Sequence, residues 1–196
     1  MAKDKAMQEV ERTILLRGIA DIMFDRYPGD NGTNLDVADK MYFAPDGKAL
    51  VFPAANISSF LTAENTPSAP KRFHGSREYK KIAQAILSYT SISPFLIPFT
   101  RNGEPIIFAA FDGDEDKAAG VYIHRSVARL AKGVPNPKVR PVIRLPWELE
   151  FALTMYPNEE NLTEIMIRNL FVRGGIAIGF GTYRGVFGKF VVDKWE

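Results

Sequence analysis

The chain of 196 residues contains no cysteine. That excludes disulfides, thiolate metal sites and cysteine nucleophiles together, and it accords with a reducing compartment. Histidine occurs only as His74 and His124, far apart and without the ligand spacing of a zinc site. No apolar run reaches the roughly 18 residues of a membrane span. The polar start MAKDKAMQEVERT lacks the apolar stretch of a secretion signal. A cytoplasmic protein without a membrane partner is therefore expected. G-x-S-x-G, H-E-x-x-H and G-x-x-x-x-G-K-[ST] are all absent, so no nucleophile elbow, zincin helix or Walker loop is predicted. No internal repeat or low-complexity tract is found.

What is present suffices for a packed core. Hydrophobic residues make up 46%, charged residues 24% and aromatics 12%, a balance that excludes wholesale disorder. The length suits one domain over 1–196, or one core with an elaborated insertion. Net charge is only +2, but it is segregated. From Lys117 to Trp147 there is no carboxylate, while Lys117, Arg125, Arg129, Lys132, Lys138, Arg140 and Arg144 all fall there. Lys71, Arg72, Arg77, Lys80 and Lys81 form a second basic block, broken by Glu78. Acids gather instead in PGDNGTNLDVAD and FDGDED. Such separation suits an anionic partner on one face, although solvated charge runs are also common.

Periodicity predicts an α+β protein. RTILLRGIADIMFDRY alternates as a first long strand, closed by the turn residues PGDNGTN. KMYFAPDGKALVFPA predicts a hairpin around PDG. In ANISSFLTAEN, Ile57, Phe60 and Leu61 share one helical face. SREYKKIAQAILSYT has Ile82, Ala85 and Ile86 at helical spacing, with room for a strand at its end. SPFLIPFTRNGEPIIFAAF predicts strands around an RNGEP turn. Residues 112–146 predict a basic, loop-rich insertion, because prolines at 135, 137 and 141 oppose long regular elements. PWELEFALTMY alternates as a strand through Leu149, Phe151 and Leu153. NEENLTEIMIRNLFVRGG predicts the strongest helix, lined by Leu162, Ile165, Met166, Asn169 and Leu170 and stopped at Gly174 or Gly175. GKFVVDKWE closes the chain as a strand.

Two candidate sites invite chemistry. DGDEDKAAGVYI has acids at the first, third and fifth EF-hand positions, but Lys117 replaces the glycine and Ile123 the closing glutamate. A calcium site is not predicted, and no metal or cofactor is. In FVRGGIAIGFGTYRGVFGKF, Gly174, Gly175, Gly179, Gly181, Gly185 and Gly188 are interleaved with Arg173, Arg184 and Lys189. A dinucleotide fingerprint runs strand, glycines, helix. The order here is helix, glycines, strand, which disfavours a nucleotide cofactor. Two readings stay open: close backbone packing at a bulge or turn, or an amide-lined approach to a phosphate chain with Tyr183 and Phe187 as stacking faces.

The segment DGKALVFPAANISSFLTAEN resembles the hairpin-then-helix signature of the RAMP superfamily, the repeat-associated proteins of CRISPR effector complexes. There a strand ends in a P-x-x-x-[IL] turn that opens a helix. GGIAIGFGTYRGVFGKF is similar to the glycine-rich, arginine-bearing loop and closing strand of the same superfamily. The likeness runs in order along the whole chain, and it resembles most the backbone subunits that polymerise along guide RNA and compact phage- or prophage-encoded relatives. One departure is that Ser58 and Ser59 stand where relatives often carry Lys or Arg.

The resemblance implies a modified ferredoxin-like (RRM-like) antiparallel sheet with helices on one face and inserted loops. It implies a subunit that binds the sugar–phosphate chain of single-stranded RNA, or DNA, and associates head to tail or within a multi-subunit complex. The acid-free stretch and the glycine loop supply the candidate contacts: Arg125, Arg129, Lys132, Lys138, Arg140, Arg144, Gly179, Gly181, Tyr183, Arg184 and Lys189. Lys71, Arg72, Lys80 and Lys81 rank second. Some relatives cut RNA with a loop aspartate, which would fall on Asp25 or Asp30, yet DRYPGDNGTN is equally a turn sequence. The remaining alternative is a phage structural or interaction protein whose glycine loop only packs subunits.

Overall fold

The structure, a computed structural model, describes residues 8–30, 32–113, 120–129, 133, 135–158 and 161–196. The alternating run near the start forms β1 (Val10–Gly18), with Ile14 and Leu16 fully buried. It is not one long strand, as alternation alone suggests. A Cβ on Gly18 would lie 2.3 Å from the Trp147 ring, and the Trp147 indole N–H donates to the Ala20 carbonyl at 2.8 Å. The chain breaks over that indole and resumes as β2 (Ile22–Met23), in a different sheet.

The predicted PDG hairpin is present: the Ala44 N–H donates to the Ala49 carbonyl at 2.8 Å and the Val51 N–H to the Tyr42 carbonyl at 3.0 Å. It leads into β3 (Val51–Pro53) and directly into α1 (Ala54–Thr62), whose Ile57, Phe60 and Leu61 are buried as the spacing requires. A short helix α2 (Ala69–Phe73) precedes α3 (Glu78–Tyr89), which runs without a break into β4 (Thr90–Ser93). The RNGEP turn joins β5 (Leu96–Arg101) to β6 (Glu104–Pro105). Asn102 and Gly103 take φ of 53° and 81°, the paired positive values of a tight hairpin turn.

Strand β9 (Glu148–Met155) buries Leu149, Phe151, Leu153 and Met155 on one side. Helix α4 (Glu164–Ala177) follows, then β10 (Phe190–Trp195). Together these form an antiparallel seven-stranded sheet ordered β10-β1-β9-β5-β3, with β4 against β9 and β6 against β5. This is the ferredoxin-like α+β arrangement expected from the sequence. Phe60 of α1 and Phe171 of α4 meet at 5.9 Å between ring centroids, and Phe180 packs on Phe190 at 4.4 Å. Buried apolar side chains of this size each stabilise the fold by about 1.5–3 kcal/mol.

Two expectations need correction. Helix α4 does not stop at Gly174 or Gly175. It continues through both to Ala177, and neither takes the positive φ of a helix stop; a Cβ at Gly174 would lie 2.4 Å from the Phe60 ring and one at Gly175 would lie 2.5 Å from the Phe190 carbonyl oxygen. The glycines admit neighbours rather than end the helix. Its buried face is Ile167, Leu170 and Phe171, while Ile165 and Asn169 point outward.

The second correction concerns the expected loops beyond residue 120. Strands β7 (Val121–Arg129) and β8 (Pro135–Ile143) pair antiparallel over their full length, and with β2 they form a three-stranded sheet. Pro135, Pro137 and Pro141 share one parity. The Pro141 carbonyl accepts from the Phe24 N–H at 3.0 Å, so backbone groups of that parity face away from β7. No ladder bond to β7 depends on a proline N–H, which is how a strand tolerates three of them.

Candidate nucleic-acid interface

The glycine loop following α4 is built inward. Gly179, Gly181 and Gly188 have φ of 78°, 72° and 72°. A Cβ at Gly181 would lie 2.3 Å from the Met23 carbonyl oxygen, and one at Gly188 only 2.0 Å from that of Phe180. The loop's amides bind protein carbonyls: Thr182 to Met23 at 2.9 Å, Phe180 to Gly188 at 2.9 Å, Gly185 to Ile178 at 3.0 Å and Gly188 to Asp21 at 2.7 Å. Close backbone packing thus accounts for these glycines. Among the loop's side chains Tyr183 and Val186 face outward, while Phe180 is buried in the core. Tyr183 is 56% exposed at a φ of 52°.

Arg184 folds over the loop. Its Nε donates to the Gly181 carbonyl at 3.2 Å and an Nη to the Pro67 carbonyl at 2.7 Å. Partial burial lowers its pKa from the ordinary value, although a guanidinium stays charged at neutral pH. It borders a cleft of about 300 Å³ where three chain segments converge. Arg26 and Asp25 come from the loop after β2, Asn56 and Ser59 from α1, and Thr182 and Arg184 from the glycine loop. Tyr42, Phe52 and Phe180 supply its apolar lining, and the Arg26 guanidinium lies 5.6 Å from the Tyr42 ring centroid. The two segments that carry the RAMP resemblance therefore meet at one place.

Thr182 also lines a second depression of about 250 Å³, with Tyr183, Ser126, Ala128 and Arg140. The two hollows share Thr182 and so adjoin, and the groove they define is bordered by α1, the glycine loop and the β7–β8 hairpin. Register decides which hairpin cations face it. Pairing of Tyr122 with Val142, His124 with Arg140 and Ser126 with Lys138 sets these residues on one face. That face packs on the glycine loop, since the His124 and Phe187 rings lie 5.4 Å apart. Arg140 lines the second hollow and Lys138 shares its face without lining either hollow, whereas Arg125 alternates to the opposite face.

The acids near the groove are already engaged. Asp25 accepts from Arg140 at 2.8 Å, and the Lys40 ammonium lies 3.9 Å away. Asp30 accepts from Thr33 Oγ1 and from the Gly32 and Thr33 amides, each at 2.7 Å, and these bonds hold its pKa below the usual carboxylate value. Asp21 accepts from the Tyr122 hydroxyl and the Leu145 amide, both at 2.9 Å, and pins hairpin to loop. Asp25 and Asp30 therefore act as an ion-pair partner and a turn residue.

The other candidates are dispersed. Arg144 sits at the hairpin base, its guanidinium 5.6 Å from the Tyr122 ring and 3.9 Å from Asp21. Lys189 is not among the groove-lining residues. Only the backbone of Arg129 is described, opposite Pro135, and Lys132 lies outside the described residues, as do 114–119 of the acidic turn. Lys71, Arg72, Lys80 and Lys81 belong to α2 and α3. Sequence reasoning missed Arg26 and Asn56. The signals were a cation directly after the acid of the first long loop, and a polar residue inside the FPAANI turn.

No protein-family model and no curated protein sequence matches the chain. Among solved structures, the fold matches a chain in the cryo-EM structure of the Type III-B Cmr-beta bound to cognate target RNA. The TM-score is 0.55 at 11% identity. The match takes in 96% of this chain and 60% of that one. The two share a fold. That neighbour's structure is of Type III-B Cmr-beta bound to cognate target RNA. Among the described residues, no helix is long and apolar enough to cross a membrane.

Proposed function

We propose that the chain is a RAMP-like domain over residues 1–196 that binds the backbone of single-stranded nucleic acid, RNA in preference to DNA, as a non-catalytic subunit of a larger assembly. The observation that carries this reading is the convergence of the FPAANI turn, the Arg26 loop and the glycine loop on one cleft, next to a hollow lined by the hairpin. Arg26, Arg184 and Lys138 contact phosphates as cations without base geometry. Arg140 joins them while its charge is shared with Asp25. Tyr183 offers a ring to an unstacked base. Head-to-tail association with further copies accords with the separation of acidic and basic segments.

Salt-titrated binding of labelled single-stranded RNA and DNA tests the proposal. A backbone binder loses affinity steeply as salt rises, with little sequence preference. Arg26→Ala with Arg184→Ala is expected to weaken binding about tenfold or more and to lower the salt slope by about one per cation. No binding at low salt would support the interaction-protein reading instead. RNA cleavage in Mg²⁺ that Asp25→Ala abolishes would support a nuclease.

A further inference from the structure

The outward face of α4 carries a feature that the groove does not use. Ile167, Leu170, Phe171 and Gly174 define the buried face of this helix. At 3.6 residues per turn, Ile165, Asn169, Val172 and Ile176 fall on the opposite face, spaced by four, three and four. Ile165, Val172 and Ile176 are 74%, 41% and 52% exposed. A single exposed apolar residue needs no explanation. Three at this spacing, along about 16 Å of helix, form a narrow seam of the kind a second helix covers. An asparagine within such a seam fixes register between paired helices.

The rims of the seam are basic. Arg168 flanks one side and Arg173 the other, and the Arg173 guanidinium is steadied 4.1 Å from the Phe73 ring centroid. Helix α2, which carries Phe73, adds the exposed Lys71 and Arg72. The lone carboxylate of α4, Glu164, is held by Arg12 at 2.6 Å and by the Trp195 indole at 2.9 Å. It also attracts Arg168 one turn along the helix, but it is a single acid beside Arg168, Arg173, Lys71 and Arg72. The chain's own helices do not complement this face: α1 carries no charge, and cations outnumber acids in α2 and α3.

We propose that the outer face of α4 docks an amphipathic helix of a different protein, apolar along its seam and carrying Asp or Glu on its flanks. Charge complementarity sets that choice, since carboxylates at the flanking positions of the incoming helix meet Arg168 and Arg173. None of the seam residues lines the nucleic-acid groove. The site is therefore separate from nucleic-acid binding.

The test uses the full chain and two designed helical peptides with identical Leu seams and one central Asn. One carries Glu at the flanking positions and the other Lys. Fluorescence anisotropy is expected to show binding of the Glu peptide and about tenfold or weaker binding of the Lys peptide. Ile165→Glu and Val172→Glu should each weaken the Glu peptide about tenfold. Arg168→Glu with Arg173→Glu should reverse the preference between peptides. These positions are exposed, so circular dichroism and RNA affinity should stay unchanged. Equal binding of both peptides, no binding of either, or indifference to the substitutions would overturn the proposal. So would a self-association, seen by sedimentation, that Ile165→Glu abolishes, because the occupant would then be a second copy.

Discussion

The glycine loop and the β7–β8 hairpin stand on either side of the same groove and are built on opposite principles. The loop is glycine-rich and looks permissive, yet its backbone is fixed by contacts that leave no room for a Cβ at Gly181 or Gly188. The hairpin contains three prolines and looks irregular, yet its strands pair over nine residues each. Local composition misleads in both cases because the deciding quantity is what lies next to the backbone. In the loop, neighbouring carbonyls exclude side chains. In the hairpin, proline parity turns the missing N–H groups away from the ladder. The loop sets the shape of the groove, and the hairpin sets which charges face it.

The contrast is broken most severely from the loop side. Gly188→Ala forces a Cβ to within 2.0 Å of the Phe180 carbonyl at a φ of 72°. It should cost about 3 kcal/mol or more in urea unfolding. Gly185→Ala, with φ of 90° but open space around it, should cost only about 1–2 kcal/mol. Equal losses for the two would show that backbone conformation, not packing, governs the loop.

Asp25→Ala comes next. It leaves Arg140, whose side chain is only 14% exposed, without its carboxylate. A loss of about 1–3 kcal/mol in thermal or chemical unfolding is expected, together with a weakened junction between hairpin and β2 loop. Asp30→Ala should cost less, since its bonds are exposed and local.

A smaller effect divides the hairpin cations. Lys138→Ala should lower the salt slope of RNA binding by about one, whereas Arg125→Ala, on the opposite face, should leave it unchanged. Matching slopes for the two variants would mean that both faces of the hairpin contact nucleic acid.

The smallest is a pH effect on the helix that feeds the loop. The hydrogen bond from Arg12 holds the Glu164 carboxyl below its ordinary value of 4.5. A carboxylate whose pKa is lowered on folding stabilises the protein above the unfolded pKa, and that stabilisation is lost as pH falls through the folded value. Glu164→Gln should therefore flatten the decline in melting temperature below pH 4.5 relative to the unsubstituted chain.

Much of the fold was legible. Leu149, Phe151 and Leu153 alternate because one face of β9 is buried, and Ile57, Phe60 and Leu61 mark the buried side of α1 for the same reason. The buried face of α4 was misread because apolar residues occur on two sides of that helix, and composition does not say which side meets the core. The candidate site was legible only in part. Arg140, Tyr183 and Arg184 were named from charge and glycine context, but Arg26 and Asn56 acquire meaning only beside Arg184.

The sequence by itself determined the α+β class, most elements and the separation of charge, because hydrophobic period and charge order are local properties of the chain. Only the tertiary structure decided that the glycines of the terminal loop answer to Met23 and Phe180, and that the prolines of β8 face away from β7. It alone placed Arg140 and Arg125 on different faces. Each depends on a neighbour distant in sequence, and the close approach of two backbones is fixed only when the whole sheet is assembled.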